Sequence, residues 1–265
     1  MTFAGWLLGH EAQVRLTAFL LLFAVLIVLQ RLWPRREVPG GWRRVATNIA
    51  LVMIDTVVLR IAFPLLAFDL ALRLEENGTG LLRGLPPVAA TIIGVVLLDL
   101  IIYWQHRLLH KIPLLWRLHR VHHADIGFDI TTGVRFHPLE IVLSMVIKLG
   151  VILLLGITPL AVLVFELALS MGALFTHTNL SLPRGIDHRL RWLFVTPDMH
   201  RIHHSWQRDE TDSNFGFHLS IWDRLFGSYR DQPRDGHRRM VIGLQAFRDA
   251  RDQSLPALLL NPFRR

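Results

Sequence analysis

Long apolar stretches, broken by few charges, direct this chain toward a membrane-embedded helical fold. Leu16 to Gln30 is the first, and with its flanks it approaches the roughly 20 residues needed to cross a bilayer. A second runs from about Val45 to Leu72 and is interrupted by Asp55, Arg60 and Asp69. Such a segment is either a span with inward-facing polar groups or a partly re-entrant helix. Residues 73–87 carry Asn77-Gly78 and Gly84-Leu-Pro-Pro87, which is loop chemistry. A third apolar run follows, from about Val88 to Trp104. The block from Leu139 to Thr176 is too long for one comfortable span, and Gly156-Ile-Thr-Pro159 breaks its middle, so it reads as a hairpin of two short spans.

The expected fold class is therefore an all-α integral membrane protein. It has about four to five transmembrane or re-entrant helices and a cytoplasmic histidine-rich helical cap. Three units are expected: membrane helices and loops at 1–87, a central domain at 88–230 that includes the hairpin at 139–176, and a tail at 231–265. The segment Met1 to Gln13 lacks the basic start and small-residue cleavage site of a secretory signal.

Composition agrees with a membrane protein and narrows the chemistry. Hydrophobic residues make up 52% of the chain and mean hydropathy is +0.37. The +8 net charge is almost wholly arginine, since Lys111 and Lys148 are the only lysines. No nucleic-acid-binding motif accompanies that charge, so nucleic acid is not expected as a partner. Basic groups between apolar spans instead mark cytoplasmic loops. Placing Arg31, Arg35, Arg36, Arg43 and Arg44 in the cytoplasm and counting spans brings the inner ends of the third run and the hairpin to the same side. Cysteine is absent, which excludes disulfides, thiolate ligands and cysteine-held iron–sulfur clusters.

Histidines gather at those ends. The chain reads His106-Arg-Leu-Leu-His110, then His119-Arg-Val-His122-His123, then His200-Arg-Ile-His203-His204. Residues three and four apart on a helix share a face, so His106 and His110 should point the same way, as should the three imidazoles within each later group. Eight of the 14 histidines lie in these stretches. A tetrahedral site takes only four ligands, so the number fits two metals close together. Asp99, two helical turns before His106, is placed to accept the second N–H of a ligating imidazole.

All-imidazole sites allow zinc or iron, and geometry and supply decide between them. The His-Glu-x-x-His pattern of zinc proteases is absent, as are the Glu-x-x-His pairs of soluble di-iron bundles. Three readings remain: a redox enzyme acting on a lipid, a zinc-dependent membrane hydrolase, and a metal carrier. The carrier is disfavoured because its ligands would sit near the bilayer midplane.

The ordered segments Asp99-Leu-Ile-Ile-Tyr103-Trp104-Gln-His106, Leu118-His119-Arg-Val-His122-His123 and Arg135-Phe-His137-Pro138-Leu-Glu140 resemble the fatty acid hydroxylase and sterol desaturase superfamily. So do His177-Thr-Asn179, Pro197-Asp198-Met-His200-Arg-Ile-His203-His204 and Asn214-Phe215-Gly216, and the likeness runs from about residue 95 to 230. The resemblance implies a membrane di-iron oxygenase that hydroxylates or desaturates a lipid, such as a sterol or fatty acid, with O2. It implies two iron ions held by His106, His110, His119, His122, His123, His200, His203 and His204, with His177 as a ninth ligand. His137, Asp99, Asp125, Asp198 and Asn214 are further candidates for the metal or its surroundings, although Asn214 equally suits a turn. No haem attachment motif or dinucleotide fingerprint occurs in the sequence, so a separate electron donor of reductase, ferredoxin or cytochrome type is expected. The expected location is the cell membrane in a bacterium or the endoplasmic reticulum in a eukaryote, with the active site facing the cytoplasm.

Overall fold

A computed structural model describes residues 2–264; residues 1 and 265 of the expected terminal units lie outside it. Among the described residues the chain is all-helical, with only isolated bridges such as Pro34 to Leu180 in place of strands. Ten helices carry the architecture: α1 (Phe3–Gly9), α2 (Glu11–Leu32), α3 (Gly41–Ala62), α4 (Ala67–Glu76), α5 (Pro87–Lys111), α6 (Pro113–His123), α7 (Pro138–Leu155), α8 (Pro159–Thr176), α9 (Arg184–Leu190) and α10 (Pro197–His203). Shorter helices follow, the last at Leu255–Leu260. Five segments are long and apolar enough to cross a membrane: α2, α3 with α4, α5, α7 and α8.

Local chemistry sets the boundaries. Pro64 holds Phe63 in an extended conformation (φ −127°, ψ 108°), which ends α3. The run expected at 45–72 is thus two helices, and of its three polar interruptions only Asp55 turns inward; Arg60 and Asp69 are exposed, and Asp69 accepts from the Leu66 N–H at the start of α4. The hairpin break is built as a cap pair. Gly156 adopts the left-handed conformation (φ 63°) that closes α7, and the Thr158 side chain accepts from the Ala161 N–H ahead of Pro159. A Cβ on Gly156 would sit 2.3 Å from the Gly80 Cα, so this turn requires glycine to let two backbones meet.

The core lies among α4, α5, α7 and α8, where Leu98, Ile102, Met145, Ile152, Val162 and Phe165 are buried together. Around it the surface stays apolar: Leu20, Leu21, Val25, Val57, Ile61, Ile92, Leu153 and Leu154 are all exposed. In α2 only Leu26 is buried, and a helix that is apolar all round with one face packed suits lipid on the others.

Polar contacts fix which helix ends converge. The Arg35 N–H, just beyond α2, donates to the Asn179 carbonyl beyond α8 at 2.8 Å. Arg44, at the start of α3, reaches Asp125 beyond α6 at 2.7 Å. The start of α7 meets α6 through Glu140 and His119. The end of α2, the start of α3, the end of α5, the start of α7 and the end of α8 therefore share one end of the bundle. The piece at Leu255–Leu260 docks on this body, with Leu258 packed against Leu51 and Val121.

Candidate metal centre

Four helices bring histidines to that end. The last two turns of α5 carry His106 and His110, α6 carries His119, His122 and His123, and His177 caps the end of α8. His200 and His203 lie on α10, and His204 caps it. All nine are 2% exposed or less.

They form two adjoining groups. His106, His110, His119, His123 and His203 make one, and His122, His177, His200 and His204 the other; within each, one nitrogen per ring lies within 4.8 Å of the rest. Both His-x-x-His-His motifs contribute to both groups, which corrects the expectation that the imidazoles of one motif point together. On a helix, residues four apart differ by about 40° while residues three apart differ by about 60° the other way. His119 and His123 accordingly face one group and His122 the other, and His200 and His204 part from His203 in the same manner. The rings of His123 and His204 stack at 4.5 Å where the groups meet.

Hydrogen bonds at the outer nitrogens fix the tautomers. The Nδ1–H of His106 donates to the Phe215 carbonyl at 2.7 Å, that of His122 to the Arg135 carbonyl at 3.1 Å, that of His177 to the Ala173 carbonyl at 2.7 Å, and that of His203 to the Ser213 carbonyl at 2.7 Å. His119 donates to Glu140 at 2.7 Å, and His110 to Asp212 at 3.3 Å. A neutral imidazole that donates from Nδ1 presents a bare lone pair at Nε2. Those lone pairs face one another: His122 and His177 at 3.2 Å, His106 and His119 at 3.0 Å. The Nε2 atoms of His110, His123, His203 and His204 are buried with no partner. Converging, unpartnered lone pairs repel unless a cation lies between them, so the donor set fits a metal in each group.

Electrostatics keep the rings in the ligating form. Burial pushes His177 down to about 4 and His203 to about 3. It also drives His122, His123, His200 and His204 well below the ordinary imidazole value, and neighbouring histidines add to the effect. Neutral imidazole is the state that binds metal.

The remaining candidates stand around the nine. Asp125 pairs with Arg44; burial alone would raise it, but Arg44 and Arg135 outweigh that and hold it below the carboxylate range. Arg135, buried and lowered to about 10, donates to the Val121 carbonyl, Asn48 and Gln253, which fixes the backbone whose carbonyl holds His122. Asp198 joins Arg201 and Arg35, tying α10 to the segment after α2. Asn214 adopts a left-handed turn (φ 52°) and binds the Met199 and Arg230 backbone on both sides. Asp99 meets His218 and the Trp222 N–H rather than any of the nine. His137 is also apart from both groups, since one ring nitrogen accepts from the Leu139 N–H and the other meets the Leu259 carbonyl.

Two contributors have no role assigned from the sequence. Glu140 sits in the first turn of α7, and in the sequence it stands only as the end of the segment Arg135-Phe-His137-Pro138-Leu-Glu140. Asp223 accepts from the Phe215 and Gly216 N–H groups and from Ser228, so it shapes the loop whose carbonyl holds His106. Burial pushes Asp223 up to about 6 against those hydrogen bonds.

A cavity of about 310 Å³ runs between α2, α3, α5, α7 and α8 and reaches His106 and His119. Its walls are mainly apolar, including Phe19, Val52, Ile102, Val134, Leu169 and Phe217. Gly133, on its wall, lets the turn there pack directly on α8, because a Cβ would lie 2.6 Å from the Ala173 carbonyl and 3.3 Å from the His177 ring.

An all-helical bundle with membrane-length apolar helices, two adjoining polyhistidine groups and an apolar cavity leading to one of them defines a class of membrane protein built to hold metal beside a lipid-like ligand. The fatty acid hydroxylase family profile matches residues 91–228, and the chain belongs to that family. It is 35% identical over 152 residues to the ornithine lipid hydroxylase of Rhizobium tropici, covering 56% of this chain and 44% of that one. It is 31% identical over 140 residues to the alkylglycerol monooxygenase of Xenopus tropicalis, covering 52% and 29% respectively. The human alkylglycerol monooxygenase is 29% identical over 143 residues, covering 54% and 30%. The match thus spans less than half the length of these relatives. No solved structure matches the chain.

Proposed function

We propose that this chain is a membrane oxygenase that hydroxylates a lipid with O2 and electrons from a separate donor. The observation that carries the reading is the meeting of two groups of buried, unpartnered Nε2 atoms with the inner end of an apolar cavity, in a chain of the fatty acid hydroxylase family. His106, His110, His119, His123 and His203 would hold one iron and His122, His177, His200 and His204 the other. Bound iron supplies what the protein lacks, the ability to activate O2 toward an unactivated C–H bond.

The chain's own residues do the rest. Glu140, Asp212 and the carbonyls of Phe215, Arg135, Ala173 and Ser213 hold the imidazole Nδ1–H groups and so aim the Nε2 lone pairs. The apolar walls take a hydrocarbon chain, exclude water and present a carbon beside His106 and His119. Oxygen insertion is favoured over desaturation because the named relatives are a hydroxylase and monooxygenases. It consumes one O2, two electrons and two protons, leaving one oxygen on the lipid and one in water. The arginines between α2 and α3 lie at the same end of the bundle as the histidines, which supports a cytoplasmic active site.

The test is the metal content of the detergent-purified chain, beside a His203→Ala, His204→Ala double variant, followed by lipid-dependent O2 uptake. About two irons per chain, lost in the variant, together with O2 uptake on a lipid, are expected for the paired groups. Zinc retained after growth in iron-replete medium, with no O2 uptake on any lipid, would replace this reading with the zinc hydrolase.

A further inference from the structure

We propose that Asp55 reads the polar end of the substrate, and that the cavity selects lipids carrying a hydroxyl or ammonium donor over free fatty acids. The proposal rests on the oxygenase reading for its substrate and on the cavity for its chemistry. Asp55 lies mid-way along α3 and is 5% exposed, yet its Oδ1 is buried without a partner and it forms no hydrogen bond or ion pair among the described residues. Two other carboxylates within the bundle are fully matched. Glu166 takes Lys148 at 2.7 Å and Arg15 at 2.9 Å, and Asp99 takes His218 and Trp222. A carboxylate at membrane depth is costly unless something pairs with it, and one retained without a protein partner points to a ligand.

Asp55 lines the cavity that reaches His106 and His119, so an occupant of that cavity is what can meet it. Two further acceptor atoms on the same wall, Glu140 Oε2 and Gln105 Oε1, are also buried without donors. The one ammonium on the wall, Lys148, is engaged by Glu166. Ser144 and Ser170 also bring hydroxyls to the wall, so neutral donors are present, but the unpaired carboxyl oxygens of Asp55 and Glu140 set the sign of the cavity. A hydroxyl or ammonium group complements it. A fatty acid carboxylate, which only accepts and is negative, meets the wrong sign.

The experiment measures lipid binding to the purified full chain in detergent, without O2 or reductant, so that it reads recognition apart from turnover. The probes are hexadecylglycerol ether, the same ether with both hydroxyls methylated, hexadecylammonium and palmitate. The wild type should bind the hydroxyl or ammonium lipid about ten- to a hundredfold more tightly than the methylated ether and palmitate. Asp55→Leu should bind the methylated ether as the wild type does and lose the preference. Asp55→Asn tells the sources apart, since an amide still accepts from a hydroxyl but no longer attracts an ammonium. Palmitate binding as tight as that of the donor lipids, or a preference that persists in Asp55→Leu, overturns the proposal. So does a fall in the thermal midpoint of Asp55→Leu, because removing a buried carboxyl group should not destabilise a protein in which it has only a ligand to meet. Iron content and O2 uptake are scored separately, so donor selection in a chain without iron would sink the oxygenase and leave the cavity's selectivity standing.

Discussion

Glu140 Oε1 lies 2.7 Å from His119 Nδ1, and the opposite nitrogen of the same ring faces His106 Nε2 at 3.0 Å. One carboxylate in the first turn of a membrane helix thus sets the direction of a lone pair on a different helix. Glu140→Ala should weaken metal retention by about ten- to a hundredfold, and Glu140→Gln, which keeps an acceptor and loses the charge, by less. Competition with a graded chelator measures this. Equal retention in all three proteins would leave His119 oriented by packing alone.

Asp223 acts one step further out. It accepts from the Phe215 N–H at 2.7 Å, the Gly216 N–H at 2.9 Å and Ser228 at 2.6 Å. Asp223→Ala leaves those donors buried and unmatched, at a cost of about 2–4 kcal/mol in stability. Because the Phe215 carbonyl holds His106, metal affinity should fall as well. Thermal unfolding and chelator competition on the same sample separate the two effects. Loss of stability with unchanged metal affinity would show that His106 keeps its place without this loop.

The fold class could be read from the sequence because a bilayer imposes a length on apolar runs, and the hairpin break at Gly156 to Pro159 because both residues punctuate a helix through their backbone alone. The break at Pro64 was passed over, since the surrounding hydropathy continues through it. The histidine spacing showed that ligands gather but not how they divide, because i, i+3 and i, i+4 pairs look equivalent until a second helix lies opposite. Asp99 drew attention as a carboxylate in register with His106, yet it meets His218 and Trp222, which are 119 and 123 residues away in sequence. Glu140 reaches His119 across 21 residues, Asp223 binds a loop whose partners lie 8, 7 and 5 residues away, and helical spacing announces neither contact.

Arg44 lies between two buried carboxylates, reaching Asp125 at 2.7 Å and also meeting Asp129. Asp125 in turn accepts from Asn48 and Thr132, so α3 is joined to the turn after α6 through this cluster. Arg44→Met removes the cation and leaves two buried anions, which should cost about 3–5 kcal/mol. Arg44→Met with Asp125→Asn and Asp129→Asn together should recover part of that loss. Unfolding midpoints in detergent provide the comparison, and a single variant as stable as wild type would show that water reaches the pair.

The metal-free protein should lose stability on acidification. Burial holds His177 at about 4 and His203 at about 3, against an ordinary value of 6.5, and lowers His122, His123, His200 and His204 by the same cause. Below 6.5 the unfolded chain takes up protons that the folded chain refuses, so the stability present above 6.5 is lost progressively as pH falls toward the folded values. Asp223 runs the other way. Its folded value is raised to about 6 from 3.8, so its contribution is full below 3.8 and is lost as pH climbs through 6. Between 4 and 6.5 several histidines oppose one carboxylate, and the net slope favours the folded state at higher pH. Melting of the chelator-stripped protein across that range checks the sign. Metal restored should raise the midpoint at neutral pH and by at least as much at pH 5, because the folded histidines are neutral at both and binding displaces no proton from them. A midpoint that rises on acidification would mean that the histidines are charged in the folded protein, contrary to the lone-pair geometry on which the metal sites rest.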